Sequence, residues 1–406
     1  RNFVQILRSG VVGRKSLGSR PKRLVQQWLN AASDQTLLNA SVGQHPSLAD
    51  IVKMVHPRPL DPAREAFYGW LIGRRVEEAK LPEIVQAFER AKRGEAEPPR
   101  LDFRLMTGLP LPTAHWAALA REMSWTATRM NLNTLARHGV FDEPGMTEWI
   151  ASRLRDAEQV KRARAFPYQV LVAYRMAGTG VPMAVKEALQ DALEIATDNV
   201  PAIAGRIVVC VDVSGSMASP VTGYRQGATT KVSCRETAAL MAVSLLRRNP
   251  MTYVLPFDTA LHRVELNPRD SLATNVGKLM RQGGGGTALS LPLASLNAEG
   301  ILADLVIYVS DNESWKDTGS AHASTATMRE WARFKVKNPN ARLVCVDLQP
   351  YATTQATERE DILNVGGFGE GVMEIIACFA AGERSAAYWV DEINRIDLRD
   401  CAKEGI

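Results

Sequence analysis

The chain reads as a protein of two parts: an all-α solenoid over residues 1–203, then an α/β domain with a doubly wound parallel sheet over 204–382. Three observations predict this. The first 200 residues contain almost no strand-like alternation and break into helical stretches separated by Pro or Gly. Around Pro201–Gly205 the pattern changes to short β-branched runs alternating with helical segments, the signature of crossover connections and a parallel sheet. The first of those runs, Arg206–Val211, is apolar without alternation, as in a strand buried on both faces.

In the front half, Ser19 and Pro21 suggest a cap and early helical proline for a helix over Lys22–Ala31. Ser47 and Asp50 form a capping-box pattern, with Leu48, Ile51, Val52 and Val55 on one face. That helix must end near His56, because Pro57 and Pro59 remove donors and restrict the residues before them. Further helices are predicted at Pro62–Ala79, Pro82–Arg93, Pro112–Met123, Thr126–His138, Pro144–Asp156, Pro167–Met176 and Pro182–Ala196. Many short helices joined by tight turns suggest stacked antiparallel pairs of HEAT-like type, although no strict sequence period is present.

In the second part, strands are predicted at 206–212, 252–257, 304–311 and 342–348, with a further one at 261–265. Helices fall at 233–248, 270–281, 288–297 and 324–337, and the domain closes with Ile362–Val365 and a helix near Val372–Ala381. A polar insert, Met217–Val232, contains Tyr224 and Arg225 and reads as a polar loop. Residues 383–406 are expected to pack back on the body.

The segment Asp212-Val213-Ser214-Gly215-Ser216 carries the chemistry. It follows the first strand directly, and open α/β sheets place ligands at the carboxyl ends of their strands. Residues at alternate positions of a curling loop can point one way, so one carboxylate and two hydroxyls surround a point. Hard oxygen donors suit Mg2+, with Mn2+ or Ca2+ as alternatives, better than Zn2+ or copper. This pattern resembles the metal-ion-dependent adhesion site of von Willebrand factor A-type domains, which adds a distant Thr and a distant Asp. The resemblance assigns those roles to Thr287, after Gly283–Gly286, and to Asp311, at the end of a buried run from Asp304. With few negative ligands, such an ion should bind loosely and keep open positions for water or a partner's acidic group.

Charge is uneven. The first 200 residues carry 28 Lys and Arg against 21 Asp and Glu, and the remainder 21 against 23. Arg1, Arg8, Arg14, Lys15, Arg20, Lys22 and Arg23 precede the first acidic residue. Cations concentrated on one part are the footprint expected of a polyanion binder. The five cysteines, Cys210, Cys234, Cys345, Cys378 and Cys401, are odd in number and lack a C-x-x-C pair, which argues for reduced thiols and a cytoplasmic setting. No apolar run approaches the ~18 residues of a membrane span.

Across its length the chain resembles the Ro autoantigen, or TROVE-domain, family. The resemblance rests on Ile51–Pro59, Thr126–Asn133 and Ala163–Leu171, together with Val211–Ser216 and Val309–Ser314. It implies a ring of HEAT-like repeats closed by an A-type domain. It also implies binding of small structured Y RNAs on the outer surface and of single-stranded ends of misfolded RNAs in a central hole, in RNA quality control. Through it, Lys53, His56 and Arg58 match a region associated with RNA contact. Charge and spacing extend the candidate surface to Arg129, Asn131, Asn133, Arg137 and His138, and to Lys161, Arg162 and Arg164. Phe166 and Tyr168 fit core positions better than base-stacking platforms.

The reading is therefore a non-catalytic, monomeric RNA-binding protein, with an RNA-processing protein as possible partner at the metal site. The alternative is a metal-dependent protein-adhesion module without RNA. Catalysis has no support: Ser214 is not in a G-x-S-x-G elbow, the glycine run lacks the G-K-[ST] ending of a P-loop, and the six histidines form no cluster.

Overall fold

The computed structural model describes residues 2–8, 17–43, 46–59, 61–223, 230–311, 323–349, 355–357, 359–369 and 371–382. Arg1, Arg14, Lys15, Tyr224, Arg225, residues 312–314 and the 383–406 segment lie outside the described residues. The chain forms two compact units, Arg1–Met123 and Ser124–Ile406.

The first unit is helical, built from Ser19–Ala31, Asp34–Ala40, Leu48–Val55, Pro62–Leu71, Glu83–Lys92 and Thr113–Glu122, with shorter pieces at Asn2–Arg8 and Phe103–Met106. The Ser47–Asp50 box forms as the sequence suggests. The Asp50 N–H donates to Ser47 Oγ at 3.0 Å, and the Ser47 N–H returns a bond to Asp50 Oδ2 at 3.0 Å. The Ser19–Ala31 helix opens three residues earlier than expected, with Gly18 at its cap. The helix from Pro62 ends at Leu71 rather than Ala79, because Gly73 turns at φ 81° and Arg74 N–H closes on Gly69 O at 2.9 Å. Leu29, Leu37, Leu38, Val55, Phe67 and Val85 are fully enclosed in its core, each contributing about 1.5–3 kcal/mol of burial.

The second unit opens with the helices Trp125–Met130, Leu132–Arg137, Met146–Leu154, Ala157–Arg162, Pro167–Met176 and Met183–Ile195. It also contains the whole sheet with the helices that flank it, Cys234–Arg248, Leu272–Met280, Leu291–Glu299, Ala323–Lys337 and Val372–Ala380. The helix expected over Thr126–His138 is two helices. Asn131 breaks it at φ −112°, its side-chain amide bonding back to Ala127 O at 2.8 Å. The strands are β1 (Ile207–Asp212), β2 (Thr252–Phe257), β3 (Leu305–Ser310), β4 (Arg342–Asp347) and β5 (Ile362–Gly366), all parallel in the order β2-β1-β3-β4-β5. Every residue of β1 and β3 is buried, which is why neither shows alternation. The strand expected at 261–265 is absent. Asp258 reverses the chain after β2, with its N–H on Ala260 O, and only an isolated bridge joins Phe257 to Leu261.

The change from helices to alternating strand and helix falls near 201–205, yet the compact unit does not divide there. Helix Pro167–Met176 packs on Cys234–Arg248 of the α/β part. Arg175 pairs with Glu236 at 2.5 Å, and Arg247 with Glu194 at 2.6 Å. Glu194 also accepts the Leu272 N–H at 2.7 Å. Contacts of that kind are invisible in a composition profile.

Candidate functional site

The sheet order places a topological switch point between β1 and β3, since the chain leaves β1 for β2 on one side and returns to β3 on the other. The D-x-S-x-S loop sits there. Register pairs Val211 with Val309, so Asp212 lies beside Ser310, whose hydroxyl donates to Asp212 Oδ2 at 2.6 Å. Asp212 Oδ1 accepts the Ser214 N–H at 2.8 Å, and the Ser214 and Ser216 hydroxyls lie 3.2 Å apart. Asp212, Ser214, Thr287 and Asp311 are all buried, and Ser216 is half-buried.

Thr287 reaches this loop through the glycine turn. Gly284 N–H donates to Val213 O at 2.9 Å, and Gly215 N–H donates to Gly285 O at 2.8 Å, so the two loops are joined through their main chains. Gly283 is obligatory: it sits at φ 75°, and an added Cβ would lie 2.3 Å from Val213 O. Gly283→Ala should therefore cost roughly 2 kcal/mol or more through strain and loop separation. Thermal unfolding in EDTA checks this, and a midpoint equal to wild type would contradict the joined-loop geometry.

Electrostatics follow from burial. Desolvation pushes the Asp212 carboxyl up to about 6, against hydrogen bonds from Ser214 and Ser310, and neighbouring Asp311 adds like-charge repulsion. Asp347, ending β4, is also pushed up to about 6, chiefly by burial, with Asp311 again contributing. Thr287 Oγ1 is buried without a hydrogen-bond partner among the described residues, a costly condition that a cation would relieve. Among the described residues no group of three or more His, Cys, Asp or Glu could hold a metal ion. The donor set at the switch point is two carboxylates and three hydroxyls instead, which fits a hard divalent cation. Cys210, Cys234 and Cys345 are buried, and no described cysteine is in a disulfide.

The cationic candidates divide by environment. In the first unit, Lys53, His56 and Arg58 are exposed at the end of Leu48–Val55. The carbonyls beneath them are tied inward: Gln26 Nε2 donates to Val55 O at 2.6 Å and His56 O at 3.2 Å, and Asn30 Nδ2 to Arg58 O at 2.8 Å. In the second unit, Lys161, Arg162 and Arg164 are exposed, and Asn199 Nδ2 holds the turn below through Val160 O and Ala165 O. Arg137 is exposed, while burial holds the half-buried His138 below its usual pKa, with Arg137 adding to the effect. Arg129 is drawn into the fold, donating to Gln169 O at 2.6 Å and lying 5.8 Å from the Trp125 ring centre. Asn131 is half-buried, and Asn133 bridges Met176 O and Gly178 N–H. Phe166 is buried and Tyr168 meets Phe368 edge-on at 5.2 Å, so both belong to packing.

Two residues at the centre escaped the sequence reading. Arg235 donates through Nη2 to Val213 O and Ser214 O, both at 2.7 Å, and clamps the D-x-S-x-S loop from the start of helix Cys234–Arg248. Asp258 accepts the Gly285 N–H at 2.9 Å. A carboxylate directly after β2, as Asp212 ends β1, was the available signal for the second.

A family model described as the Ro60 vWA domain matches residues 206–380, and one described as the TROVE domain matches residues 112–236. The chain carries a TROVE domain and a vWA domain of the Ro60 type. The RNA-binding protein RO60 of Deinococcus radiodurans is 26% identical over 359 residues, 83% of this chain and 66% of that protein. The RNA-binding protein RO60 of Caenorhabditis elegans is 25% identical over 272 residues, 64% of this chain and 41% of that one. The chain thus spans less than two thirds of either Ro relative. The crystal structure of the Deinococcus radiodurans RO (RSR) protein aligns with a TM-score of 0.65 at 22% identity, covering 94% of this chain and 81% of that one. The Ro architecture of helical repeats with an α/β A-type domain is shared.

Proposed function

We propose that this chain is a non-catalytic RNA-binding protein whose exposed cationic helix ends grip phosphate, and whose switch-point loops hold a divalent cation, Mg2+ by donor chemistry. The RNA reading extends to small structured Y-like RNA on the outer surface and single-stranded ends of misfolded RNA in a central hole. It places a monomer in the cytoplasm, with an acidic group of an RNA-processing partner docking at the ion. Asp212, Ser214, Ser216, Thr287 and Asp311 would hold the cation, which would offer a Lewis-acidic position to such a carboxylate.

One observation carries the RNA reading beyond the relatives' names. Among the described residues, two that are not glycine adopt positive φ, His56 at 49° and Arg164 at 46°. Each lies in a cation-bearing helix end, and each turn is held by side-chain amides from another helix. Left-handed backbone costs a residue with a Cβ about 1–2 kcal/mol, and such strain concentrates at functional sites. His56→Gly and Arg164→Gly should each leave stability equal or raised by up to ~1 kcal/mol while weakening RNA binding. Gel-shift titration beside thermal melting separates the two effects; stabilised variants with undiminished RNA affinity would remove the argument. In-cell crosslinking followed by sequencing tests the reading as a whole, and recovery of no transcripts above a control protein would end it.

A further inference from the structure

We propose that Asp258 is the positioning residue that fixes Thr287 for the cation without contacting the cation itself. The inference rests on the metal reading above.

Asp258 is 5% exposed and follows the last residue of β2. Its side chain and main chain grip the Thr287 segment from both sides. Oδ2 accepts the N–H of Gly285 at 2.9 Å, two residues before the threonine, and the Asp258 carbonyl accepts the N–H of Ala288 at 3.0 Å, one residue after it. The other carboxylate oxygen is spent within its own turn, accepting the Ala260 N–H at 2.9 Å and facing His262 Nε2 at 3.0 Å. Both oxygens are therefore directed at protein donors rather than at an ion. The packing is close, since a Cβ at Gly285 would stand 3.0 Å from Asp258 Oδ2.

What makes this grip matter is the state of Thr287. Among the described residues its hydroxyl has no hydrogen-bond partner, so no side-chain bond among them orients it. A β-branched side chain has little rotameric freedom, and its direction follows the main chain closely. Whatever fixes the backbone of residues 285–288 therefore fixes the hydroxyl. Gly215 and Gly284 join that turn to the metal loop on one flank, and Asp258 holds it on the other. Burial works against ionisation of Asp258, but the N–H groups of Gly285 and Ala260, with His262, hold its carboxyl below the usual range, so the acceptor stays charged.

A double-mutant cycle read by Mn2+ affinity tests this. Free Mn2+ is measured by electron paramagnetic resonance for wild type, Thr287→Ala, Asp258→Ala and the double variant, with melting in EDTA confirming the fold. Each single variant should bind roughly tenfold more weakly, as partners that orient ligands typically do. The double variant should bind no more than about twofold more weakly than Thr287→Ala, because Asp258 acts through the threonine. Unchanged affinity in Asp258→Ala, or losses that multiply in the double variant, would overturn the inference. Absence of Mn2+ binding by wild type would instead overturn the metal reading, and this inference with it. Asp258→Asn, which leaves one acceptor oxygen where two served Gly285, Ala260 and His262, replaces the alanine variant if that one does not fold, with a smaller loss expected from the single variant and no further loss in combination with Thr287→Ala.

Discussion

Asp212→Asn is expected to raise the melting temperature of the metal-free protein at pH 7 while abolishing divalent-cation binding. The Asp212 carboxyl is pushed up to about 6 in the fold, against ~3.9 in an unfolded chain. Between those values the native state holds more protons than the unfolded state, so metal-free stability falls as pH rises. The contribution is fully favourable below about pH 4 and is lost through pH 6, leaving a penalty of roughly 3 kcal/mol at neutral pH. Asparagine keeps the shape and removes the charge, and the Ser310 hydroxyl can turn to accept from its amide. For a domain of this size such a change moves the midpoint by on the order of 5 °C. Calorimetry in EDTA from pH 4.5 to 8, as wild type minus variant, isolates the effect. Asp347, shifted the same way, leaves a residual slope in both proteins. A difference curve flat with pH would refute the buried-charge account. Added Mg2+ should reverse the order, since the ion stabilises only a protein that binds it.

Lys53→Ala/Arg58→Ala should weaken binding of a small structured RNA by roughly tenfold or more at 0.1 M salt and make its salt dependence shallower. Each phosphate contact contributes about 0.7–0.9 to the slope of log affinity against log salt, so losing two should reduce the slope by about 1.5. Both side chains are exposed, so melting should stay within about 0.5 kcal/mol of wild type. Filter binding across a salt series is the measurement. An unaltered slope would show that this helix end makes no phosphate contact, and attention would move to Lys161, Arg162 and Arg164.

The candidate site was legible where chemistry is local. One carboxylate and two hydroxyls at alternate positions after a buried strand are a property of neighbouring residues, and the structure keeps them together at the switch point. Thr287 was reachable through the Ro and A-type resemblance and the glycine run before it. Arg235 was not, and Asp258 only by its place directly after β2, because their roles depend on which main-chain groups lie opposite, a matter of register between distant segments. The cations show the same division. Arg129 and Arg137 lie eight residues apart and looked alike, yet one is bound to Gln169 O and the other stands in solvent. Sequence spacing assigns both to a helix without stating which face is covered.

By itself, the sequence determined the two-part plan, the elements that alternate or do not, the capping at Ser47 and the D-x-S-x-S donor set. All of these are set by residues within a few positions of one another. Tertiary structure alone decided that the helices after Ser124 share a unit with the sheet, that Asn131 splits a helix, and that the 261–265 strand gives way to a turn. It also decided that the glycine turn before Thr287 is joined to the loop after Asp212, with Asp258 holding its other flank. The shared unit and the glycine junction are fixed by hydrogen bonds and ion pairs between segments far apart in the chain, whose partners only the folded backbone brings within reach. The helix break and the turn close through local bonds, Asn131 to Ala127 O and Asp258 N–H to Ala260 O, which residue spacing does not distinguish from a continuing helix or strand.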